Sequence, residues 1–349
     1  MNRWADAAAR CVISSRIRLA RNVRRHPFPH LAAAPEREAV RQQIEQAAAA
    51  HPAFDGADVI SVDRLPPLER ALLEERRMIS HRFAAQGSSR LIILPRQPRV
   101  SILVNEEDHL RIQAMLPGLA LARAWRLAGR VAQSFEEMLD IARAGNDAYV
   151  TASPENAGTG LRASVMLFLP ALMLLKQADR LLNRCVQTGC AVRGAHGEGS
   201  AAAGFMIQLS AQPATARAIR PTLTKLARVC AYVAAHEQQA RRRLAARQNG
   251  KLRRRLAWAG AQLYSAQAID LDTGIAIVGL CRLAAVLRVS VPHCRAGDFN
   301  VMESIERRIQ PAHIRHEAMR VSPATIGDPA ARDDDRIRAA LMRALLCAA

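Results

Sequence analysis

The most chemically loaded stretch of the chain is Asn105-Glu-Glu-Asp-His-Leu-Arg111, where three carboxylates, one imidazole and one guanidinium fall within seven residues. A carboxylate beside a cation is the raw material of a pKa-tuned acid or base. The bland alternative is a solvated, charged turn, which is what charge runs usually are. Val100, Ile102 and Val104 alternate ahead of the stretch and predict a strand, whereas Leu110 to Leu116 after it has a helical pattern. A strand end that opens into a loop is a common seat for catalytic groups.

Arginines supply a second signal. In Val12 to Asn22, Arg16 and Arg18 lie two apart, so an extended backbone aims both at one target. Two planar forks on one face suit a polyphosphate, each donating parallel hydrogen bonds to phosphate oxygens; surface charge is the competing reading. In Thr151 to Val165, Gly158 and Gly160 would let the backbone approach a ligand, and Thr159 offers a hydroxyl. A helix expected to follow and run through Leu181 would set Arg162 near its N-terminus, where N–H groups favour an anion. A glycine turn that merely starts a helix is the alternative. The Gly-Lys-Ser/Thr ending of a Walker A loop is missing. Arg193-Gly-Ala-His-Gly-Glu-Gly-Ser200 lies between predicted strands Ala191–Arg193 and Phe205–Leu209 and is too rich in glycine for a tight hairpin. It reads as a mobile lid able to present Glu198 to a substrate, with His196 on the loop surface.

Arg16, Arg18, Arg111, Arg162 and Arg193 thus come from separate loop or strand-end positions, and Glu107 and Glu198 from two of them. Convergent arginines without a P-loop or a kinase glycine-rich motif point to a phosphoryl transfer in which positioning and charge neutralisation supply most of the barrier reduction.

The elements that must hold these groups are legible in outline. Glu36–Ala50, with Pro35 at its first turn, and Leu119–Arg143, ending at Gly145, predict helices; Leu91–Leu94 and Ala148–Ala152 predict strands. From Pro221 the pattern turns helical, over Thr222–Gln248, Lys251–Gln267 and Gly274–Val289. The shift near 245 divides a catalytic domain, 11–243, from a helical domain, 244–349. Arg241–Arg243 and Arg253–Arg255 read as solvated faces of these helices first and as a partner surface second.

Composition narrows the classes. The 50 Lys+Arg against 31 Asp+Glu leave a net charge of +19, nearly all of it arginine, since the lysines are Lys176, Lys225 and Lys251. Nucleic-acid binding would rest on that charge alone, and aromatics at 4% are scarce for base stacking; a bias towards Ala and Arg explains the charge as well. Seven scattered cysteines without a C-x-x-C pair predict a reduced, intracellular protein with no zinc site or disulfide framework. The longest apolar run, Val165 to Leu175, is too short for a bilayer and contains Pro170, and Met1 to Arg10 has no apolar targeting core. A cytoplasmic location away from membranes is the expectation.

Four stretches, in order across residues 12–210, carry a family resemblance: Ser14-Ser-Arg-Ile-Arg-Leu-Ala-Arg-Asn22, Asn105-Glu-Glu-Asp-His-Leu-Arg111, Asn156-Ala-Gly-Thr-Gly-Leu-Arg-Ala-Ser-Val165 and Arg193-Gly-x-x-Gly-Glu198. With them the chain resembles the ATP:guanido phosphotransferases, the phosphagen kinase superfamily, and within it most resembles the bacterial protein arginine kinases. The resemblance implies an α+β fold, an antiparallel β-sheet flanked by helices in a glutamine-synthetase-like guanido kinase catalytic domain, then a small all-α domain for dimerisation or partner binding. It implies ATP, with Mg²⁺ held mainly by the nucleotide and no protein metal ligands, and transfer of the γ-phosphate to arginine residues of proteins. By position, the nucleotide would lie against Ser14, Ser15, Arg16, Ile17, Arg18, Arg77, Arg111, Arg162, Ala163, Ser164, Val165 and Met166, and against Arg193, Gly194, Ala195, His196, Gly197 and Glu198. Glu107, Ser153 and Glu198 would hold the acceptor guanidinium, with Glu107, Glu198 and Arg162 carrying catalysis. Implied partners are proteins with exposed arginines, a zinc-binding activator protein, a Clp-type protease and a second copy of the chain, in a stress-response and quality-control setting.

Small-molecule members of the superfamily carry a helical domain ahead of the catalytic one; here 13 residues precede Ser14, so a site open to an arginine on a protein chain is expected. Three departures stand out. Ser153 replaces the family's Cys, and a neutral hydroxyl lacks the charge of a thiolate, which would lower turnover. Arg77 stands near the position of a family His, with His81 as a substitute. The phosphoarginine-recognition motif Arg-Asp-x-x-Arg-Ala is blurred in Arg332-Asp-Asp-Asp-Arg-Ile337, with Arg336 or Arg338 as its surviving element. Glu107 and Arg111, four apart, would share one face of a helix starting at Glu107, leaving Glu106, Asp108 and His109 as cap, support or surface. A catalytically weak ATP-binding adaptor and a free-guanidino kinase are the alternative functions.

Overall fold

The structure, a computed structural model, describes residues 10–85, 87–96, 99–194, 203–211, 219–246, 250–294, 299, 301–321 and 334–347. Val12–Arg21 forms a ten-residue strand, β1, in which Ser15, Ile17 and Leu19 are buried while Arg16 and Arg18 point to the opposite face. After it come α1 (Ala34–Ala50), β2 (Asp58–Ser61), α2 (Pro67–Glu75), α3 (His81–Ala84), β3 (Leu91–Leu94), β4 (Val100–Val104), β5 (Leu110–Pro117) and α4 (Leu121–Glu136). A two-residue pair, β6 (Arg143–Ala144) and β7 (Ala148–Tyr149), precedes β8 (Leu161–Phe168), α5 (Pro170–Leu174), α6 (Ala178–Gln187), β9 (Cys190–Gly194) and β10 (Met206–Ala211). The chain then turns helical: α7 (Ile219–Ala246), α8 (Gly250–Ser265), α9 (Leu271–Leu287), α10 (Val301–Arg308), α11 (Pro311–Val321) and α12 (Asp334–Leu346). Eight strands form one sheet in the order β2-β3-β4-β5-β1-β8-β10-β9, antiparallel at every pairing.

Two segments with helical expectations are strands. Leu110, Ile112, Ala114 and Leu116 also satisfy period two, and all four are buried on one face of β5. The register with β1 pairs Ala20 with Arg111 and Arg18 with Gln113, so neither Glu107 nor Arg111 lies on a helix. Leu161–Phe168 is β8, not the start of a helix running through Leu181. Covered on both faces, it shows no alternation to read, and Pro170 is where the helical backbone begins. The strand expected over Ala148–Ala152 shrinks to Ala148–Tyr149, and the helix expected to reach Arg143 ends at Glu136.

The core lies against the face of the sheet that carries Ile17, Ile112 and Val165, and the same buried cluster includes Val40, Leu226, Val278 and Met342. The expected 243/244 boundary falls in the last turn of α7. Glu237, fully buried on α7, accepts from Ala171 N (3.1 Å) and Leu172 N (2.9 Å) at the start of α5 and pairs with Arg241 at 2.7 Å. Arg241, expected on a solvated face, is therefore 6% exposed, whereas Arg242, Arg243 and Arg253–Arg255 are exposed. A second tie joins α2 to the helical region. The Glu75 carboxylate, last in α2, accepts from Ala312 N (2.7 Å) and His313 N (3.0 Å) in the first turn of α11 and meets His313 Nδ1 at 2.7 Å. Among the described residues no helix is long and apolar enough to cross a membrane.

Candidate active site

The face of the sheet away from Ile17 is where the arginines meet. Register places Arg18 of β1 between Gln113 of β5 and Arg162 of β8, and Arg16 between Met115 and Ser164. β10 extends the row, with Gln208 opposite both Met166 and Arg193. Arg16, Arg18, Arg111, Arg162 and Arg193 line one cavity of about 500 Å³, together with Ser14, Arg77, Ser164, Met166 and Gly194. The side chains of Ser15, Ile17, Ala163 and Val165 do not line it, because neighbours along a strand point to opposite faces. Ser15 Oγ instead donates to Gly118 O at 2.7 Å. Arg77 has a φ of +59°, and its carbonyl accepts from Gln113 Nε2 at 3.0 Å. His81, the expected substitute for the family His, is off the cavity and pairs with Glu74 at 3.0 Å, its ring 90% exposed.

The opening stretch is a bend between β4 and β5 in which Asn105 takes φ +59°. It is not a solvated turn. Glu106, read as cap, support or surface, takes the supporting part: it is the carboxylate that pairs with Arg111, at 2.5 Å, and it also accepts from Ser80 Oγ (2.6 Å) and Glu107 N (2.9 Å). Burial would raise its carboxyl pKa, but Arg111 and these hydrogen bonds prevail and lower it. Asp108 Oδ1 accepts from Asn22 Nδ2 and Ala152 N, both at 2.7 Å. One aspartate thereby ties the neighbour of Glu107 to the neighbour of Ser153. Thr151 Oγ1 adds a hydrogen bond to Ser153 O at 2.8 Å. His109 is 1% exposed; Nδ1 accepts from Val23 N (3.0 Å), which leaves Nε2 to donate to Pro27 O (2.9 Å). Burial pushes this imidazole down to about 4, so it serves as a neutral pivot.

Glu107 and Ser153 are half-buried and lie off the cavity lining, although the Glu107 charge reaches Arg162. Ala195, His196, Gly197 and Glu198, and with them the expected lid, lie outside the described residues. Of the glycines after Ser153, Gly160 has a packing role of its own. A Cβ on Gly160, at φ +62°, would sit 2.6 Å from Ala20 O, so this glycine lets the loop cross β1. The Thr159 hydroxyl accepts from Leu161 N at 3.2 Å within the same turn. Arg338 is buried and donates to Ile309 O (2.9 Å) and Ile269 O (2.8 Å) beside its pairing with Asp335, so it is committed inside the helical region. Arg332 is outside the described residues.

Sequence reasoning missed several wall residues. Gln113 shares its strand face with Arg111 and becomes visible once β5 is read at period two. Glu106, which pairs with the wall residue Arg111, has no such signal, since three adjacent acids look alike until the backbone bends. Arg282 from α9 and Glu303, Glu306 and Gln310 from the region of α10 also line the cavity, with Arg282 Nη2 on Glu306 at 3.0 Å. Nothing in the sequence links them to the sheet.

The cavity has more positive charge than it neutralises. Burial first, then the charges of Arg111, Arg77 and Arg162, push the Arg16 guanidinium down from 12.5 to about 9. Burial followed by Arg16, Arg111 and Arg162 lowers Arg18 well below its usual range, opposed by Glu106. Arg18 Nε is buried with no hydrogen-bond partner among the described residues. An unsatisfied donor among crowded cations is a cradle for a polyanion, and ATP fits it. No group of three or more His, Cys, Asp or Glu among the described residues is arranged to hold a metal, and both Glu106 oxygens are already hydrogen-bonded. A Mg²⁺ here would take its oxygens chiefly from nucleotide phosphates and water.

Comparison with known proteins agrees with this geometry. Residues 39–240 match the family described as ATP:guanido phosphotransferase, C-terminal catalytic domain. A protein-arginine kinase of Moorella thermoacetica is 35% identical over 351 residues, covering 99% of this chain and 97% of its own. One from Symbiobacterium thermophilum is 36% identical over 353 residues, with the same coverage of 99% and 97%. Among solved structures, the duplicated taurocyamine kinase of Schistosoma mansoni with bound transition-state analog components superposes with a TM-score of 0.60 at 20% identity, over 75% of this chain and 40% of that one. A lombricine kinase gives 0.55 at 23% identity, over 65% and 66%. These likenesses establish the fold, which is the antiparallel sheet flanked by helices expected from the sequence. On the family match and the near full-length relatives, the chain belongs to the ATP:guanido phosphotransferases.

Proposed function

We propose that this phosphotransferase is a protein-arginine kinase, moving the γ-phosphoryl group of ATP to the guanidinium of arginine residues in proteins. The observation that carries the nucleotide half is the arginine face, with its orphaned Arg18 Nε among the crowded guanidinium groups of Arg16, Arg111 and Arg162. The names of the near full-length relatives support the protein-borne acceptor. Bound ATP-Mg²⁺ supplies an activated phosphoryl group, and the chain supplies positioning and charge. Arg16, Arg18, Arg111, Arg162 and Arg193 neutralise phosphate oxygens on the sheet face. A guanidinium is a poor nucleophile because its lone pairs are delocalised and its pKa exceeds about 12. Glu107 holds one of its nitrogens and accepts the proton that leaves as the N–P bond forms and the bond from the γ-phosphorus to the bridging oxygen breaks, with ADP as the leaving group. Ser153, whose chain neighbour Ala152 is held by Asp108 next to Glu107, offers a neutral hydroxyl where a thiolate would offer charge. Alignment of this kind contributes on the order of 7 to 11 kcal/mol. The homodimer, the zinc-binding activator and the Clp-type protease belong to the same proposal on the resemblance alone.

The test is incubation with ATP-Mg²⁺ and an arginine-rich protein, reading acid-labile phosphoarginine by mass spectrometry with free arginine as competitor. Protein phosphoarginine is expected, and Glu107→Gln should abolish it without changing Tm. Labelling confined to free arginine, or a Glu107→Gln variant as active as the parent, would refute the reading.

A further inference from the structure

Away from the cavity, the helical region holds a thiol pair that nothing in the phosphoryl transfer uses. Cys281 on α9 is 3% exposed, and its Sγ lies 3.7 Å from the Sγ of Cys294. Cys294 closes a surface turn, its N–H bonded to Val291 O at 3.1 Å, and is partly exposed. The other close or buried cysteines differ. Cys11, Cys185, Cys190 and Cys230 are all buried, and burial pushes Cys11 up to about 12 and Cys185 up to about 11, which keeps both as inert thiols. At Cys294 the hydrogen bond shared with Cys281 outweighs burial and lowers the thiol, while the same hydrogen bond and burial raise Cys281. The pair therefore has a polarity set by exposure, with the Cys294 sulfur on the solvent side, where a reactant can reach it, and the Cys281 sulfur buried beneath it.

We propose that Cys281 and Cys294 form a peroxide-reactive site that closes to an intramolecular disulfide. In the first step the Cys294 thiolate attacks a hydroperoxide oxygen, the O–O bond breaks, and Cys294 becomes a sulfenic acid as hydroxide or alkoxide leaves. Cys281 then attacks the Cys294 sulfur; the S–S bond forms, hydroxide departs and takes up the thiol proton as water. Two thiols and one hydroperoxide give one disulfide, one water and one further water or alcohol. The sulfurs must close from 3.7 Å to a bond of about 2.0 Å, a movement that the Val291–Cys294 turn can absorb at the surface. Because Arg282 follows Cys281 and lines the cavity, the bond anchors this turn to the helix that walls the nucleotide site.

The test treats reduced, full-length protein with a modest molar excess of hydrogen peroxide and measures intact mass and tryptic peptides without reductant. The expected product has lost two hydrogens and joins peptide 256–282 to peptide 289–295. Cys294→Ser should abolish this product, and Cys347→Ser should leave it. A Cys294–Cys347 link, an intermolecular disulfide, stepwise oxygen addition at Cys294 with Cys281 still a thiol, or no change in mass would each overturn the assignment.

Discussion

Replacing Arg18 by Met takes one guanidinium off the cavity face while keeping an unbranched side chain. In the folded chain Arg18 Nε is buried without a hydrogen-bond partner, and its charge faces Arg16, Arg111 and Arg162 against the single carboxylate of Glu106. A buried donor left unsatisfied costs ~1–3 kcal/mol, so the variant should be more stable than the parent by about that amount without nucleotide. For a chain of 349 residues, an unfolding entropy of about 2.1 cal/mol/K per residue converts this to a Tm rise of about 1–4 °C. Nucleotide binding should move the other way. Loss of charge-assisted hydrogen bonds worth ~1.5–3 kcal/mol weakens the ATP Kd by roughly 10- to 150-fold. Differential scanning calorimetry with and without ATP-Mg²⁺ reads the first effect, and titration calorimetry reads the second. A variant less stable than the parent in nucleotide-free buffer would mean that Arg18 has native partners that hold the sheet together. One that binds ATP with parental affinity would mean that the phosphates lie elsewhere. Either outcome refutes the reasoning.

Three further perturbations probe the support of the site. Glu106→Gln leaves the half-buried Arg111 without its charged partner and should cost ~1–3 kcal/mol at neutral pH in urea unfolding. Because the folded Glu106 carboxyl lies below its usual 4.5, its contribution is present above that pH and is lost as pH falls through the lowered value, so the variant should lack this acid-side limb. His109 runs from 6.5 unfolded to about 4 folded; stability is full above the first value and falls towards the second, because the unfolded chain takes up the proton first. That slope, about 3 kcal/mol in all, should flatten in His109→Gln, and an unchanged profile across this window counts against the buried neutral imidazole. Asp108→Ala should lower kcat/KM for the arginine acceptor by about 10- to 100-fold through misplacement of Glu107 and Ser153 while the ATP Kd stays at its parental value; loss of ATP binding instead would place Asp108 in the nucleotide site.

What could be seen in the sequence followed from chemistry and alternation. Arg16 and Arg18 on one face of a strand needed only a two-residue period, and β1 realises it with Ile17 and Leu19 buried behind. The same rule was available for Leu110–Leu116 but competed there with a helical spacing of the same residues, and only pairing with β1 decides between them. For Leu161–Phe168 no rule sufficed, since a strand buried on both faces shows no alternation and a helix was an equally good reading. The division of labour within Asn105–Arg111 lay beyond sequence for a different reason. Which of three neighbouring carboxylates meets Arg111 depends on the positive φ of Asn105 and on Ser80, twenty-six residues away. The walls contributed by Arg282 and Glu306 depend on packing across the whole chain.

The clasp between Glu75 and the first turn of α11 gives the molecule a lever. Glu75 stands two residues before Arg77 on the rim of the cavity, and its carboxylate holds backbone N–H groups of a helix more than two hundred residues away in the chain. A nucleotide that draws Arg77 towards its phosphates does work on α11, and a partner that shifts α11 does work on the rim. Where such movements occur, linkage requires that each change the other's affinity by the same factor, and the Glu75 carboxylate then joins Arg282 and Glu306 as a link between the helical region and the phosphate site.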